Sequence, residues 1–179
     1  MRNEQPKVIA LAAVSGGGKT TTVKELLNRL PNSKALYFDD YDFDGVPDDV
    51  CDWVEQGADY NAWNLQPLIE DVERSLAEQG LDYIILDYPF AYMHHGMSRY
   101  IHYTVFIDTP LDVAMARRIM RNFADSPMDE LQVDMKGYLS RGRFAYLEML
   151  NTIKPNSDYI IDGCLPVDTI VKQVLEKVK

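Results

Sequence analysis

The sequence has few cysteines and no apolar run long enough to cross a bilayer. Cys51 and Cys164 are the only 2 cysteines in 179 residues and lie far apart, so we expect free thiols in a reducing compartment. No apolar stretch approaches the roughly 20 residues that span a membrane. Residues 1–6 lack the apolar core of a signal peptide. The sequence therefore predicts a cytoplasmic protein without a membrane partner.

Positive charge is also scarce. The chain has 18 Lys and Arg against 28 Asp and Glu, a net charge of −10. Because nucleic acids are bound by basic surfaces, a nucleic-acid partner is not expected. A small anionic ligand remains compatible with this charge, since a local cluster of basic side chains suffices to bind it. The composition, 46% hydrophobic and 26% charged without repeats or linkers, predicts one folded domain over residues 1–179.

Strand-like and helix-like segments alternate along the whole chain. The predicted strands are 8–13, 34–38, 83–87, 103–108 and 159–162. The predicted helices are 21–30, 65–79, 110–123, 129–152 and 166–178, with Gly137 and Gly142 as weak points of the long one. This alternation predicts an α/β fold in which a five-stranded parallel sheet carries helices on both faces. Ligands of such sheets bind at the carboxyl ends of the strands.

The segment AVSGGGKTT at residues 13–21 has the pattern of a phosphate-binding loop. Glycines let successive N–H groups turn toward an anion, and the start of the next helix adds partial positive charge. Ala13 stands where the pattern has its first glycine, and it fits if the glycines carry the unusual dihedrals. We expect a nucleoside triphosphate to contact Ser15, Gly16, Gly17, Gly18, Lys19, Thr20 and Thr21.

The loop predicts ATP and Mg²⁺ as cofactors. Lys19 is placed to reach the β- and γ-phosphates, and the Thr20 hydroxyl to ligate Mg²⁺. Lys19 is expected to contact only the ligand. The Asn-Lys-x-Asp guanine signature does not occur in the sequence, but the choice between ATP and GTP stays open.

Carboxylates follow two of the predicted strands. Asp39 and Asp40 end the second strand, and Asp87 ends the third. A carboxylate beside a phosphate loop can hold Mg²⁺, and another can accept the proton of an attacking hydroxyl. The alternative is that these residues cap turns. Which of Asp39 and Asp40 would be the base is left open.

Basic residues are concentrated late in the chain, at Arg117, Arg118, Arg121, Arg141 and Arg143. A polar stretch at 122–129 separates the first three from the last two. We expect residues 121–143 to form a small lid that folds over ATP, excludes water and stabilises phosphoryl charge. The alternative is a solvated helix face.

Three segments resemble known kinases. LPNSKALYFDDY at 30–41 is similar to the second strand of nicotinamide riboside kinases, where Asp-Asp-aromatic follows the strand. FIDTPLDVAMARRIMR at 106–121 is similar to the uridine kinase segment that leads into the lid, and YIIDG at 159–163 resembles the last strand of both. The resemblance spans residues 7–178. It implies a P-loop NTPase three-layer sandwich and a uridine kinase-like nucleoside kinase that transfers the ATP γ-phosphate to a sugar hydroxyl.

The resemblance also implies roles for individual residues. Asp39 matches the catalytic base and Asp87 the acidic residue near Mg²⁺. Arg117 and Arg121 match lid arginines that clamp the transferred group and bind ATP. Asp59 lies where the family places a ribose-binding aspartate.

The acceptor side departs from the family. Tyr88-Pro89-Phe90 follows Asp87 where relatives carry glycine, and Phe38 replaces a polar residue, so the usual acceptor specificity does not carry over. Aromatic residues that could stack on a base or belong to the core are Tyr41, Phe43, Tyr60 and Trp63.

The sequence as a whole predicts an ATP- and Mg²⁺-dependent small-molecule kinase with a nucleoside-like alcohol as acceptor. Two other functions stay open: a kinase of a non-nucleoside alcohol, such as a sugar acid or vitamin precursor, and a nucleotide-dependent regulatory protein. The acceptor, the pathway and the oligomeric state, a homodimer included, are not fixed by the sequence.

Overall fold

A computed structural model describes residues 5–178, so most of the N-terminal segment considered above lies outside the described residues. Within that range the strands are β1 Lys7–Ala12, β2 Ser33–Tyr37, β3 Tyr83–Asp87, β4 Tyr103–Asp108 and β5 Tyr159–Asp162. The α-helices are α1 Lys19–Arg29, α2 Val50–Glu55, α3 Gln66–Ala77, α4 His95–Ser98, α5 Leu111–Asn122, α6 Met128–Gly137, α7 Arg143–Glu148 and α8 Val167–Val178.

The strands form one parallel sheet in the order β2-β3-β1-β4-β5. Alternate residues of β1 point to opposite faces, as the period of a strand requires. Val8 and Ala10 join a core with α3 and the segment after β3, whereas Ile9 and Leu11 join a core with α1 and α8. Both faces of the sheet are therefore covered, and the predicted five-stranded α/β sandwich is confirmed.

The long predicted helix at 129–152 is divided into segments of different winding. A π-helical segment, Tyr138–Gly142, lies between α6 and α7, and a second, Met149–Ile153, follows α7. The first begins directly after Gly137 and ends at Gly142, the two predicted weak points. Glycine has low helix propensity, and π-helix occurs mostly as single turns inserted between α-helical segments.

Short helices were not predicted. α2 and α4 contain 6 and 4 residues, too few to show a helical period. The Asp49 side chain begins α2 by accepting hydrogen bonds from the backbone N–H groups of Cys51 and Asp52, at 2.7 and 3.1 Å. Among the described residues, no helix has the length and apolar character that crossing a membrane requires. The assignment of 121–143 as a lid stays a prediction.

Candidate active site

The loop between β1 and α1 has the backbone of a phosphate cradle. Gly16 and Gly18 have φ values of +81° and +98°, in the region that favours glycine. Ala13 does not have a positive φ, so its β-carbon is accommodated as expected. A β-carbon on Gly16 would lie 2.1 Å from the Ala114 carbonyl oxygen, so this glycine also lets the loop approach α5 closely.

The start of α1 is available to an anion. Its N-cap is Gly18, which supplies no capping side chain, and no acidic residue lies in the first turn. The N–H groups there lack capping partners and carry the positive end of the helix dipole. The Thr109 hydroxyl, just beyond β4, donates to the Gly17 carbonyl oxygen at 2.8 Å. This bond connects the loop to the residue that follows β4.

Lys19, Thr20 and Asp87 form one cluster at the end of β3. Asp87 is 2% exposed. Its carboxylate pairs with the Lys19 ammonium and accepts a 2.7 Å hydrogen bond from the Thr20 hydroxyl. Lys19 therefore contacts Asp87, contrary to the expectation that it contacts only the ligand.

The same cluster fits Mg²⁺. The Thr20 hydroxyl and an Asp87 carboxylate oxygen are adjacent, and a hard cation prefers such oxygen ligands. Within the part of the chain that the structure describes, no group of three or more His, Cys, Asp or Glu side chains could hold a metal. A magnesium ion here would depend on Thr20, Asp87 and the phosphates, which is how Mg²⁺ is commonly held in phosphoryl-transfer sites.

Asp39 and Asp40 lie in a 3₁₀ turn, Phe38–Asp40, that follows β2. Asp39 lines a cavity of about 380 Å³ together with the loop residues Lys19 and Thr20. Asp39 and Asp40 are both exposed, but Asp40 is not part of that lining. The structure thus brings Asp39 and the loop to one cavity, while its role as base stays a prediction.

Five aromatic side chains that contact one another form a part of this first cavity that we call its aromatic end, and they are Phe38, Trp53, Tyr60, Trp63 and Phe90. The Phe90 ring centroid lies 5.1 Å from those of Tyr60 and Trp63 in edge-to-face contacts. The Tyr60 hydroxyl donates to Glu148 Oε1 at 2.8 Å. Burial and this hydrogen bond raise the pKa of Tyr60, so the phenol stays protonated.

Two predicted substrate residues do not reach the first cavity. The Tyr41 hydroxyl donates to Asp71 Oδ2 at 2.7 Å, and the ring stacks on Phe43 at 5.7 Å. Asp59 is exposed and caps a turn by accepting from the Asn61 backbone N–H at 2.9 Å. Both side chains already have partners next to them, unlike Tyr60, which does line the cavity.

Sequence reasoning missed Trp53 and Glu148. Trp53 lies in the short α2, and Glu148 ends α7, far from the loop in sequence. Only the approach of Glu148 to Tyr60, 88 residues earlier, brings it to the cavity. The sequence alone carries no signal for this contact.

A second cavity of about 340 Å³ also borders the loop glycines. Arg117 lines it and donates to the Gly163 carbonyl oxygen at 3.0 Å. Arg121 lines both cavities. The two predicted lid arginines therefore differ in one respect: both border the second cavity, but of the two only Arg121 also borders the cavity that contains Asp39. Thr21 lines both cavities as well.

Other arginines of the cluster have acidic partners. Arg118 pairs with Asp134 and so connects α5 to α6. Arg141 pairs with Asp52 and, at 3.5 Å, with Asp49, which connects the first π-helical segment to α2. These residues hold helices together and are not cavity-lining groups.

Comparison of the sequence with known proteins gives one partial match. No protein-family model matches the sequence. A segment is 34% identical over 76 residues to a thymidylate kinase of Kosmotoga olearia, covering 42% of this chain and 34% of that enzyme. The match thus spans about a third of the relative's length.

Solved structures match over nearly the whole chain. Thermus thermophilus TT1252 has a TM-score of 0.61 at 16% identity, over 98% of this chain and 100% of that one. The Deinococcus radiodurans tunicamycin resistance protein has 0.57 at 16% identity, over 97% and 96%. A Janibacter sugar kinase has 0.56 at 15% identity, over 96% and 93%. At these identities the likeness shows the fold alone, which this chain shares with the sugar kinase and the other two proteins; the resemblance to uridine kinases stays a prediction.

Proposed function

We propose that this protein is a kinase that transfers the γ-phosphate of ATP to a hydroxyl group of a small alcohol. The observation that carries the proposal is the first cavity, which the phosphate loop and Asp39 line together with an aromatic end. In-line transfer needs the phosphates and the attacking hydroxyl on opposite sides of the transferred group. A cavity that the loop and Asp39 line together supports such an arrangement.

Each residue then has a chemical task. The loop N–H groups and Lys19 bind phosphate oxygens, and Asp39 accepts the proton of the attacking hydroxyl. Thr20 and Asp87 would hold Mg²⁺, which neutralises charge on the phosphates when bound. Arg121 balances the charge that develops on the transferred group. The second cavity, beside Arg117 and Gly163, would take the nucleoside part of ATP.

The relatives support this assignment at a coarse level. A sugar kinase shares the fold over 96% of this chain, and the matching segment of the relative belongs to a thymidylate kinase. A nucleoside-like acceptor is the finer form of the proposal, because a planar base would stack on the rings of the first cavity. A cytoplasmic location, a small-molecule partner and the absence of a nucleic-acid partner stay predictions from the sequence.

The test is a phosphoryl-transfer screen. The purified protein is incubated with Mg²⁺ and either ATP or GTP, together with nucleosides, sugars, sugar acids or vitamin alcohols. ADP or GDP release is measured, and phosphorylated products are identified by mass spectrometry. Asp39→Asn, purified in parallel, detects contaminating kinases. We expect a phosphorylated alcohol with the natural protein only. Tight ATP binding without any phosphorylated product would contradict the proposal and favour a regulatory protein.

A further inference from the structure

The first cavity has an uneven charge distribution. Among the described residues that line it, the basic ones are Lys19 and Arg121. Lys19 belongs to the phosphate loop, and Arg121 also lines the second cavity, with which the loop glycines are shared. Both cations are therefore at the phosphate end. The aromatic end has Glu148 as its charged group.

The Glu148 carboxylate accepts one hydrogen bond and can still interact with a positively charged partner. Tyr60 donates to its Oε1 at 2.8 Å, and no Lys, Arg or His of residues 5–178 forms an ion pair with it. The side chain is half-buried against the cavity. A half-buried carboxylate is stabilised by a nearby positive charge, and this one is without a positive partner in the described chain.

The rings beside Glu148 favour the same kind of ligand. Trp53 contacts the Tyr60 and Trp63 rings at 5.0 and 6.1 Å between centroids, and all three line the cavity with Phe90. Aromatic faces attract organic cations, and tryptophan does so most strongly. An anionic acceptor such as a sugar acid would instead meet the carboxylates of Asp39 and Glu148.

We propose that the acceptor alcohol is an organic cation, whose amine, quaternary ammonium or ring nitrogen lies between the aromatic side chains and Glu148. Its hydroxyl lies toward Asp39. This inference rests on the proposed kinase function. In the reaction, the hydroxyl oxygen forms a bond to the γ-phosphorus and its proton passes to Asp39. The bond between the γ-phosphorus and the bridging oxygen breaks, and ADP leaves.

Two pairs of probes of equal shape test the charge requirement. Choline is compared with 3,3-dimethylbutan-1-ol, and N-(2-hydroxyethyl)pyridinium with 2-phenylethanol; within each pair only the charge differs. Binding is measured by isothermal titration calorimetry without ATP. We expect each cation to bind about 10-fold more tightly than its neutral partner, from the combined attraction of the rings and the charge of the carboxylate. Equal affinities within both pairs, or no binding of any of the four probes at millimolar concentration, would overturn the proposal.

A variant locates the effect at Glu148. Glu148→Gln keeps an oxygen that accepts from Tyr60 but removes the charge, so we expect it to reduce the cation preference to about 3-fold or less. The matched control is Glu176→Gln on the exposed face of α8, which should keep the full preference. The chain has 2 tryptophans, both of which line this cavity, so saturable quenching of their fluorescence by the pyridinium probe reports binding there. An unchanged preference in Glu148→Gln would also overturn the assignment.

Phosphoryl-transfer assays with the same four alcohols distinguish the cation site from the kinase function. Preferential cation binding without any phosphoryl transfer would leave the cation site standing and contradict the kinase function. Transfer to the neutral alcohols with kcat/KM equal to or above that of the cations would leave the kinase function standing and refute the cation site.

Discussion

Lys19 and Asp87 form an ion pair at the junction of the phosphate loop and β3, and the Asp87 carboxylate is almost fully buried. Burying a carboxylate is costly unless it is paired and hydrogen-bonded. Here Lys19 supplies the charge and the Thr20 hydroxyl supplies a hydrogen bond of 2.7 Å. The lysine that is expected to bind phosphates is therefore also the charge partner of a buried carboxylate.

This relationship changes the expected outcome of removing the lysine. Lys19→Ala should weaken binding of Mg·ATP and also lower the free energy of unfolding by about 3 kcal/mol, since it leaves a buried charge without its partner. The double variant Lys19→Ala/Asp87→Asn should recover most of that stability but not ATP binding. Urea unfolding and titration calorimetry measure the two effects. Unchanged stability in the single variant would show that the ion pair does not contribute.

Arg121 and Arg117 should have separable effects on catalysis. Arg121 borders both cavities, so Arg121→Ala should lower kcat by about 10²–10³-fold, the range for loss of a preorganised charge stabiliser. Arg117 borders the second cavity and holds the Gly163 carbonyl at 3.0 Å, so Arg117→Ala should mainly raise the KM for ATP. Steady-state kinetics decide this, with the exposed Arg143→Ala as control. Equal losses of kcat in Arg117→Ala and Arg121→Ala would contradict this distinction and indicate that the two arginines act on the same step.

The sheet and the loop could be predicted from the sequence because their signals are local. The apolar run of β1, the glycines that follow and the helical spacing in α1 are all adjacent in the chain, and Asp87 ends a run of buried residues. Parallel pairing then places Asp87 opposite Leu11, at the end of β1 from which the loop departs. Local chemistry and the rules of parallel sheets together suffice for this part of the site.

The aromatic end of the cavity could not be predicted in the same way. Tyr60 and Tyr41 look alike in sequence, but Tyr60 donates to Glu148 and Tyr41 to Asp71. The difference depends on how α7 and α3 pack, and therefore on contacts between residues far apart in the chain. Arg117 and Arg121 are one helical turn apart and both line the second cavity, yet Arg121 alone of the two also lines the first. Neither distinction is encoded in a local pattern.

His94 should make stability depend on pH. Burial lowers its pKa below the ordinary value of 6.5. Its Nδ1 accepts from the Met97 backbone N–H at 3.2 Å, and Nε2, which then carries the proton, donates to the Trp63 carbonyl oxygen at 3.1 Å. The folded protein thus favours the neutral ring. As the pH falls below 6.5, the unfolded chain binds a proton that the folded chain resists, so the free energy of unfolding decreases.

The free energy of unfolding is measured at pH 7.5 and at pH 5.5 for the natural protein and for two variants. Natural protein should lose more unfolding free energy across this interval than His94→Asn, whose side-chain oxygen can still accept from the Met97 N–H. His95→Gln, at an exposed neighbour, should lose as much as the natural protein. Identical pH dependence in natural protein and His94→Asn would exclude His94 as the source.

Asp39 is the residue on which phosphoryl transfer to an alcohol most depends. It lines the first cavity with Lys19 and Thr20, whereas Asp40 in the same 3₁₀ turn does not. Asp39→Asn keeps the size of the side chain but removes the basic oxygen. Mg·ATP should bind with nearly unchanged affinity, while acceptor phosphorylation falls at least ~100-fold, the low end of what a positioned general base contributes. Quenched-flow measurement of a single turnover isolates this step from product release.

Asp40→Asn is the matched control, because it removes the same charge one residue away. Its activity should stay within about 3-fold of the natural protein, since a carboxylate outside the cavity acts only through solvent-screened electrostatics. Loss of transfer in Asp40→Asn with Asp39→Asn active would assign the proton acceptor to the other carboxylate and require the turn after β2 to rearrange when ATP binds. Full activity in both variants would mean that neither carboxylate takes the proton. The hydroxyl would then have to lose it to the transferred phosphoryl group itself, and Asp39 would be left to orient the acceptor.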